Sequence, residues 1–256
     1  MARVRPSPPH LRTPSAVMRF GIAVFPGTWS DRDCKHAVEL AGHEAVMLWH
    51  KDRNLRSADC VILPGGFAYG DYLRAGAVAR FAPLMESVAE FATAGGLVWG
   101  ICNGFQILCE AHLLPGALTR NGSLEYRCAP AWLRVETVDT AFTAGCAGAS
   151  VLQIPVSHGE GRFVADEATL DMLEREQRVA FRYVRRDGSG VGEESPNGSM
   201  HDIAGIVNEG RNVLGMMPHP ERACEPLLGS SDGMQVFNSV AKMVSGNGAM
   251  PVAAAL

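Results

Sequence analysis

Cys102 stands in "GICNGFQIL" (100–108), directly after the apolar residues Leu97, Val98 and Trp99. A buried strand there runs into a tight turn between Gly100 and Gly104. Strand, sharp turn and helix, with the reactive residue on the turn, make a nucleophile elbow, and G-x-C-x-G is its thiol form. A β-carbon at either glycine would crowd strand against helix where they meet. A helix starting just after Cys102 aims its N-terminus at the sulfur and favours thiolate over thiol. The backbone N–H of Asn103 would face a developing oxyanion. An isolated G-x-C-x-G is equally compatible with a buried strand cysteine flanked by helix punctuation, so the rest of the chain has to decide.

Three stretches bear on that choice. "LPGGF" (63–67) ends an earlier strand, and its Gly65-Gly66 backbone could approach a ligand and supply a second oxyanion donor, although Gly-Gly is often a plain turn. "GMMPHPER" (215–222) sets His219 between two prolines, with Glu221 two residues on. The prolines restrict the backbone and hold the imidazole in one direction. A carboxylate two positions later can fix its tautomer and stabilise imidazolium, giving a Cys-His-Glu relay. Gln106 follows Cys102 by one helical turn, from where its amide could reach a substrate above the thiol.

These residues need strands and helices to place them. "FGIAVFPG" (20–27), "EAVMLWH" (44–50), "ADCVILPGGF" (58–67) and "LVWGIC" (97–102) read as buried strands. "SDRDCKHAVELAG" (30–42) reads as a helix, with Ser30 and Asp33 in capping-box spacing and Gly42 at its end. Phe81, Leu84, Val88 and Phe91 recur at helical spacing and predict a second helix ending at Gly95-Gly96, and "NGFQILCEAHLL" starts a third. Alternation of this kind implies a parallel sheet covered on both faces. Beyond about residue 115 the rhythm changes. "WLRVETV", "VLQIPVSH", "VAFRYV", "IAGIVN" and "NVLGMM" follow with short polar links, as antiparallel or mixed strands do, and Met234, Phe237, Val240 and Val244 mark a final helix. The expected fold is a single α/β domain over 19–246: a flavodoxin-like open sheet, mostly parallel with added antiparallel strands. Residues 1–18, carrying three arginines, four prolines and no acid, read as a disordered tail or an upstream extension with Met18 as the start, and 247–256 as a flexible end.

Bulk properties narrow the function. The 256 residues are 47% hydrophobic and 20% charged, ordinary for a globular protein with a sizeable core. A net charge of −4 makes nucleic acid a poor partner, and no apolar run is long enough to span a bilayer. The seven cysteines form no CxxC pair, which argues against a zinc site or disulfide framework and for reduced thiols in a cytoplasm.

"LPGGFAYGD", "GICNGFQIL" and "MMPHPERA", in this order and at these separations, resemble the class I (triad) glutamine amidotransferase domain over roughly residues 19–246. "FAYGDYLRAGAVAR", "HGEGRF" and "PHPER" are similar, more narrowly, to the glutaminase subunits of phosphoribosylformylglycinamidine synthase. The resemblance implies Cys102 as nucleophile toward the glutamine carboxamide, His219 as its base and Glu221 as the group orienting His219. It implies Asn103 and one of Gly65 or Gly66 as oxyanion donors, and Gln106 as a contact to glutamine. It further implies that ammonia passes to a large ATP- and Mg-using synthetase subunit, with a small bridging subunit as a further partner. The chain itself is expected to hold no cofactor or metal, and it contains no GxxxxGK[ST] loop. Trp29, in "FPGTWSDRD", departs from the small polar residues usual in the family and bears on a partner contact.

Other candidates stay open. His158 and Glu160 either line the pocket mouth or the docking face, or form a polar turn. Asp71 and Arg74 either cap and position the helix after the Gly-Gly turn or take a binding role, His201 is expected to be solvated, and Cys109 and the remaining cysteines to pack. The rival functions are another triad amidotransferase, a stand-alone γ-glutamyl hydrolase, or a non-catalytic flavodoxin-like regulatory module.

Overall fold

The computed structural model describes residues 17–191 and 195–245. Most of the expected tail (1–16) and the whole of 247–256 lie outside the described residues. Met18 is buried, and its carbonyl accepts from the Glu44 N–H at 2.9 Å.

The first half builds the parallel part of one sheet. β1 (Arg19–Val24), β2 (Glu44–Trp49), β3 (Cys60–Leu63) and β4 (Leu97–Ile101) alternate with α1 (Asp31–Leu40), α2 (Pro83–Thr93) and α3 (Asn103–Glu110). β3 is buried at every position, as a strand covered on both faces must be. The second half supplies β5 (Ala117–Thr119), β6 (Arg127–Val135), β7 (Val151–His158), β8 (Arg162–Val164), α4 (Glu167–Arg175), β9 (Val179–Val184), β10 (Ile203–Val207), β11 (Val213–Met216) and α5 (Met234–Ser245). The nine-stranded sheet has the order β2-β1-β3-β4-β11-β10-β9-β6-β7. It is parallel from β2 through β11 and antiparallel from β11 through β7. On β7 burial alternates strictly, putting Leu152, Ile154, Val156 and His158 on the inner face.

The expected single α/β architecture is what the chain adopts, with helices on both faces. Four adjacent parallel strands, β1, β3, β4 and β11, end side by side, and the loops that follow them carry Thr28, Gly65-Gly66, Cys102 and His219. Open α/β sheets leave their ligand crevice at this carboxyl edge. Gly104 is what lets α3 settle there. A Cβ on it would stand 1.9 Å from the Leu63 carbonyl oxygen, and one on Gly100 would stand 2.7 Å from backbone atoms of Gly104.

Local expectations failed in four places. Ser30 precedes α1 but makes no side-chain cap; its Oγ instead accepts from Arg222 at 2.8 Å. Phe81 is exposed in a short 3₁₀ turn, and α2 starts only at Pro83, whose ring suits the first helical turn. α4 was not expected, although the Asp166 side chain caps it at the Thr169 N–H (2.7 Å) and Leu170 and Leu173 give it a buried stripe. The small antiparallel pair β5–β8 was also unforeseen; its strands have three residues each, too short for a periodic signal.

Candidate active site

Cys102 follows β4 with φ 51° and ψ −106°, a backbone conformation costly for any residue with a β-carbon. Its N–H donates to the Met216 carbonyl at 2.8 Å, anchoring the turn to β11, and its carbonyl accepts from Phe105 and Gln106 in the first turn of α3. Cys102 is 5% exposed, on the wall of a cleft.

His219 reaches the same cleft from β11. Its N–H donates to the Pro155 carbonyl at 2.8 Å, and Nδ1 lies 2.6 Å from Oε1 of Glu221. Both side chains are buried. Burial alone would strip His219 of its proton, but Glu221 and the Cys102 sulfur outweigh it and hold the imidazole well above its ordinary value. With Nδ1 committed to Glu221, Nε2 is left for the sulfur. No hydrogen bond closes between them: Nε2 has no partner, and the thiol is directed at the Ser157 carbonyl, 3.6 Å away. Catalytic contacts are often looser than this before substrate arrives. Gly65 measures how near the two are. A Cβ built on it would stand 2.6 Å from Cε1 of His219 and 3.4 Å from Cβ of Cys102.

Asn103, at the first position of α3, has an N–H with no intrahelical acceptor. Its side chain ties the elbow to the loop after β3: Oδ1 accepts from the Ala68 N–H (3.0 Å), and Nδ2 donates to Oδ1 of Asp71 (3.2 Å) and Oε1 of Gln106 (2.8 Å). Two adjoining hollows open here. One of about 240 Å³ is bordered by Trp29, Gly66, Cys102, Tyr126, His219 and Arg222. The other, of about 170 Å³, runs from Cys102 past Gln106 and His158 to Asp71 and Glu160. A thiol, an imidazole fixed by a carboxylate, and backbone donors at a helix start are the parts needed for acyl transfer.

Residues 18–243 match the family of CobB/CobQ-like glutamine amidotransferase domains. This chain belongs to that family. It is 56% identical over 226 residues to the phosphoribosylformylglycinamidine synthase subunit PurQ of Streptomyces avermitilis, covering 88% of this chain and 97% of the relative. It is also 56% identical over 223 residues to the PurQ subunit of Rubrobacter xylanophilus, covering 87% and 97%. Among solved structures it is similar to a chain of PurLQS from Thermotoga maritima, with a TM-score of 0.79, 42% identity and coverage of 90% of this chain and 100% of that one. A glutamine amidotransferase of Thermotoga maritima shares the fold at 14% identity and a TM-score of 0.55.

Around this cleft, several expected residues take different places. Gln106 borders the second hollow, but its amide is engaged: Oε1 accepts from Asn103, and Nε2 donates to the Glu160 carbonyl at 2.7 Å, pinning the 158–161 loop to α3. Asp71 caps no helix. It lies in a turn where Tyr69, Gly70, Asp71 and Leu73 all have positive φ, and its carboxylate faces the site. Arg74 instead pairs bidentately with Glu110 at the end of α3 (2.5 and 2.6 Å). His158 forms no polar surface turn: it is 3% exposed, and burial, reinforced by His219, pulls it down to about 4. Its phase on β7 was the available signal. His201 is exposed but paired with Glu174 at 3.0 Å. Cys34, Cys60, Cys109, Cys146 and Cys224 are buried as expected, whereas Cys128 is exposed. Among the described residues, His36, Cys224 and Glu225 bring three metal-ligating atoms within 4.8 Å of one another, with His36 and Glu225 already paired at 3.0 Å.

Proposed function

We propose that this chain is the glutaminase subunit of a phosphoribosylformylglycinamidine synthase, releasing ammonia from glutamine for a synthetase in purine biosynthesis. The observation that carries the reading is the placement of His219 between Glu221 and Cys102 at the edge of a fold whose relatives are PurQ subunits. Nε2 of His219 takes the thiol proton while Glu221 holds the imidazolium. The thiolate attacks the side-chain carboxamide carbon, and the oxygen's new charge falls to the N–H groups of Asn103 and of Gly65 or Gly66. Nε2 returns its proton to the departing nitrogen, the C–N bond breaks, and a γ-glutamyl thioester remains. Water, deprotonated by the same imidazole, attacks the thioester and releases glutamate, and the sulfur recovers its proton.

The working unit is the domain over 19–246, and the partners are a PurL-like synthetase, which uses ATP and Mg, and a small PurS-like bridging subunit. The likeness to a chain of PurLQS supports that assembly. Trp29, Tyr72 and Leu73, 73%, 77% and 88% exposed, give the apolar surface such a partner would cover. The chain needs no cofactor of its own for these steps. No helix among the described residues is long and apolar enough to cross a membrane. That and the unpaired cysteines support a cytoplasmic setting.

The test is Cys102→Ser in the reconstituted complex. Glutamine-dependent synthesis should vanish while ammonia-dependent synthesis persists; loss of both would reject this division of labour. Strong ammonia release by the chain alone, with no stimulation by the synthetase, would favour a stand-alone hydrolase instead. Labelling with a glutamine-analogue electrophile should select Cys102 over the more exposed Cys128, and equal labelling would favour a non-catalytic module.

A further inference from the structure

The segment that carries His219 and Glu221 continues into Cys224 and Glu225, and this stretch is fastened on two sides. Within itself, the Ala223 N–H donates to the Pro220 carbonyl at 3.0 Å and the Gly233 N–H to the Ala223 carbonyl at 2.8 Å. Glu225 also pairs with Ser230 in an antiparallel bridge. Across to α1, Arg222 donates to Ser30 Oγ at 2.8 Å and lies 3.6 Å from the Asp33 carboxylate. His36, about one turn after Asp33 on the same helix, meets Oε1 of Glu225 with its Nε2 at 3.0 Å. The Cys224 sulfur, His36 Nε2 and a Glu225 oxygen thereby lie within 4.8 Å of one another.

A histidine paired with a glutamate is ordinary at a surface, but that pairing does not account for the sulfur. Cys224 is buried beside an exposed imidazole and a half-buried carboxylate. Burial first, then Glu225, and after them Glu221 and Asp33 push its thiol up, so the sulfur sits in the field of three carboxylates. Arg222 already pairs with Asp33. A bound cation reverses this balance, since it drives off the thiol proton and offsets the carboxylate charge.

We propose that His36, Cys224 and Glu225 form a three-ligand site for a thiophilic divalent cation, zinc by its chemistry. Thiolate with imidazole selects zinc over magnesium or calcium, which take oxygen ligands. Tetrahedral zinc sets such ligand atoms about 3.3–3.6 Å apart, so the His36–Glu225 pair opens slightly and the widest separation has about 1 Å to close. On binding, the Cys224 thiol releases its proton to solvent. Nε2 of His36 gives its lone pair with the ring hydrogen on Nδ1, Glu225 gives one oxygen, and water takes the fourth position. The ion ties α1 to the segment that holds His219 and Glu221. This goes beyond the glutaminase reading and does not depend on it.

Cobalt(II) tests the site on the full chain, reduced and stripped of metal by a chelator. One equivalent should bind, with a thiolate-to-cobalt charge-transfer band in the near ultraviolet and the visible bands of tetrahedral cobalt. One equivalent of zinc should abolish both. Cys224→Ser should remove the charge-transfer band. His36→Ala, at an exposed position whose truncation spares the core, should weaken binding on the order of 100-fold or more, and Glu225→Gln should act in the same direction. Saturating zinc should raise the thermal midpoint of wild type by about 5 °C and leave that of His36→Ala nearly unmoved. Cys102→Ser and Cys128→Ser should bind cobalt as wild type does. A band that disappears with Cys102→Ser and survives Cys224→Ser would put the ion on the other thiol and overturn the site. So would the absence of a charge-transfer band in wild type, or undiminished affinity in His36→Ala. None of these readouts uses glutamine, so failure here is distinct from failure of the glutaminase reading.

Discussion

Cys102 is held at φ 51° by its anchorage to Met216 on one side and α3 on the other. Such strain costs about 1–3 kcal/mol and persists because its surroundings over-determine it. Cys102→Gly should therefore be more stable than Cys102→Ala by about 1 kcal/mol in urea unfolding, after the entropy that glycine loses on folding. Equal stability of the two would mean the turn relaxes. At His219 the sign of the electrostatics is set by Glu221. With Glu221→Gln burial prevails, the imidazole loses affinity for its proton, and the alkaline limb of the kcat–pH profile should move to lower pH. His219→Ala should cost on the order of 10³-fold or more in glutaminase turnover. The contact of His219 with Glu221 was legible because "PHPER" brings imidazole and carboxylate together within three residues. For Asp71 and His158 the sequence left a place at the pocket open beside a plain structural role, and only the fold brings both to the border of one hollow.

At the scale of elements, the close seat of α3 on β3 and β4 decides where the sulfur sits. Gly104→Ala would drive a β-carbon into the Leu63 carbonyl, which is backbone and cannot rotate aside. A loss of about 3 kcal/mol or more, with glutaminase activity falling alongside, is expected from urea unfolding and kinetics. The apolar runs of β1, β3, β4 and β11 were readable because a strand buried on both faces must be apolar throughout. Ser30 was misread because Arg222, far away in sequence, takes the hydroxyl that local spacing assigned to a cap. α4 was missed among strand-like neighbours, although Asp166, Leu170 and Leu173 marked it.

For the whole molecule, two buried histidines pull stability in opposite directions. His219 binds its proton more tightly folded than unfolded. Its contribution is complete below the ordinary histidine value near 6.5 and is lost as pH rises toward its raised folded value of about 10. His158 is held neutral, so its contribution is complete above about 6.5 and is lost as pH falls toward 4, a loss on the order of 3 kcal/mol. Thermal unfolding midpoints should therefore peak near pH 6.5. His158→Asn should flatten the acid limb, and an unchanged limb would remove His158 as its cause. At the surface, Leu73→Asp should weaken co-elution with the synthetase, and undiminished assembly would place the interface elsewhere.

The succession of the longer strands along the chain, the elbow at Cys102 and the pairing of His219 with Glu221 were legible in the sequence alone, because burial periodicity, glycine spacing and short-range pairs act over a few residues. Only the tertiary structure decided that Ser157, His158 and Glu160 from β7 and its following loop, Asp71 from the turn after β3, and Cys102 and His219 from the loops after β4 and β11 border adjoining hollows of one cleft. Those contacts join residues 30 to more than 100 positions apart. Their geometry depends on the register and packing of the whole sheet, which no local pattern encodes.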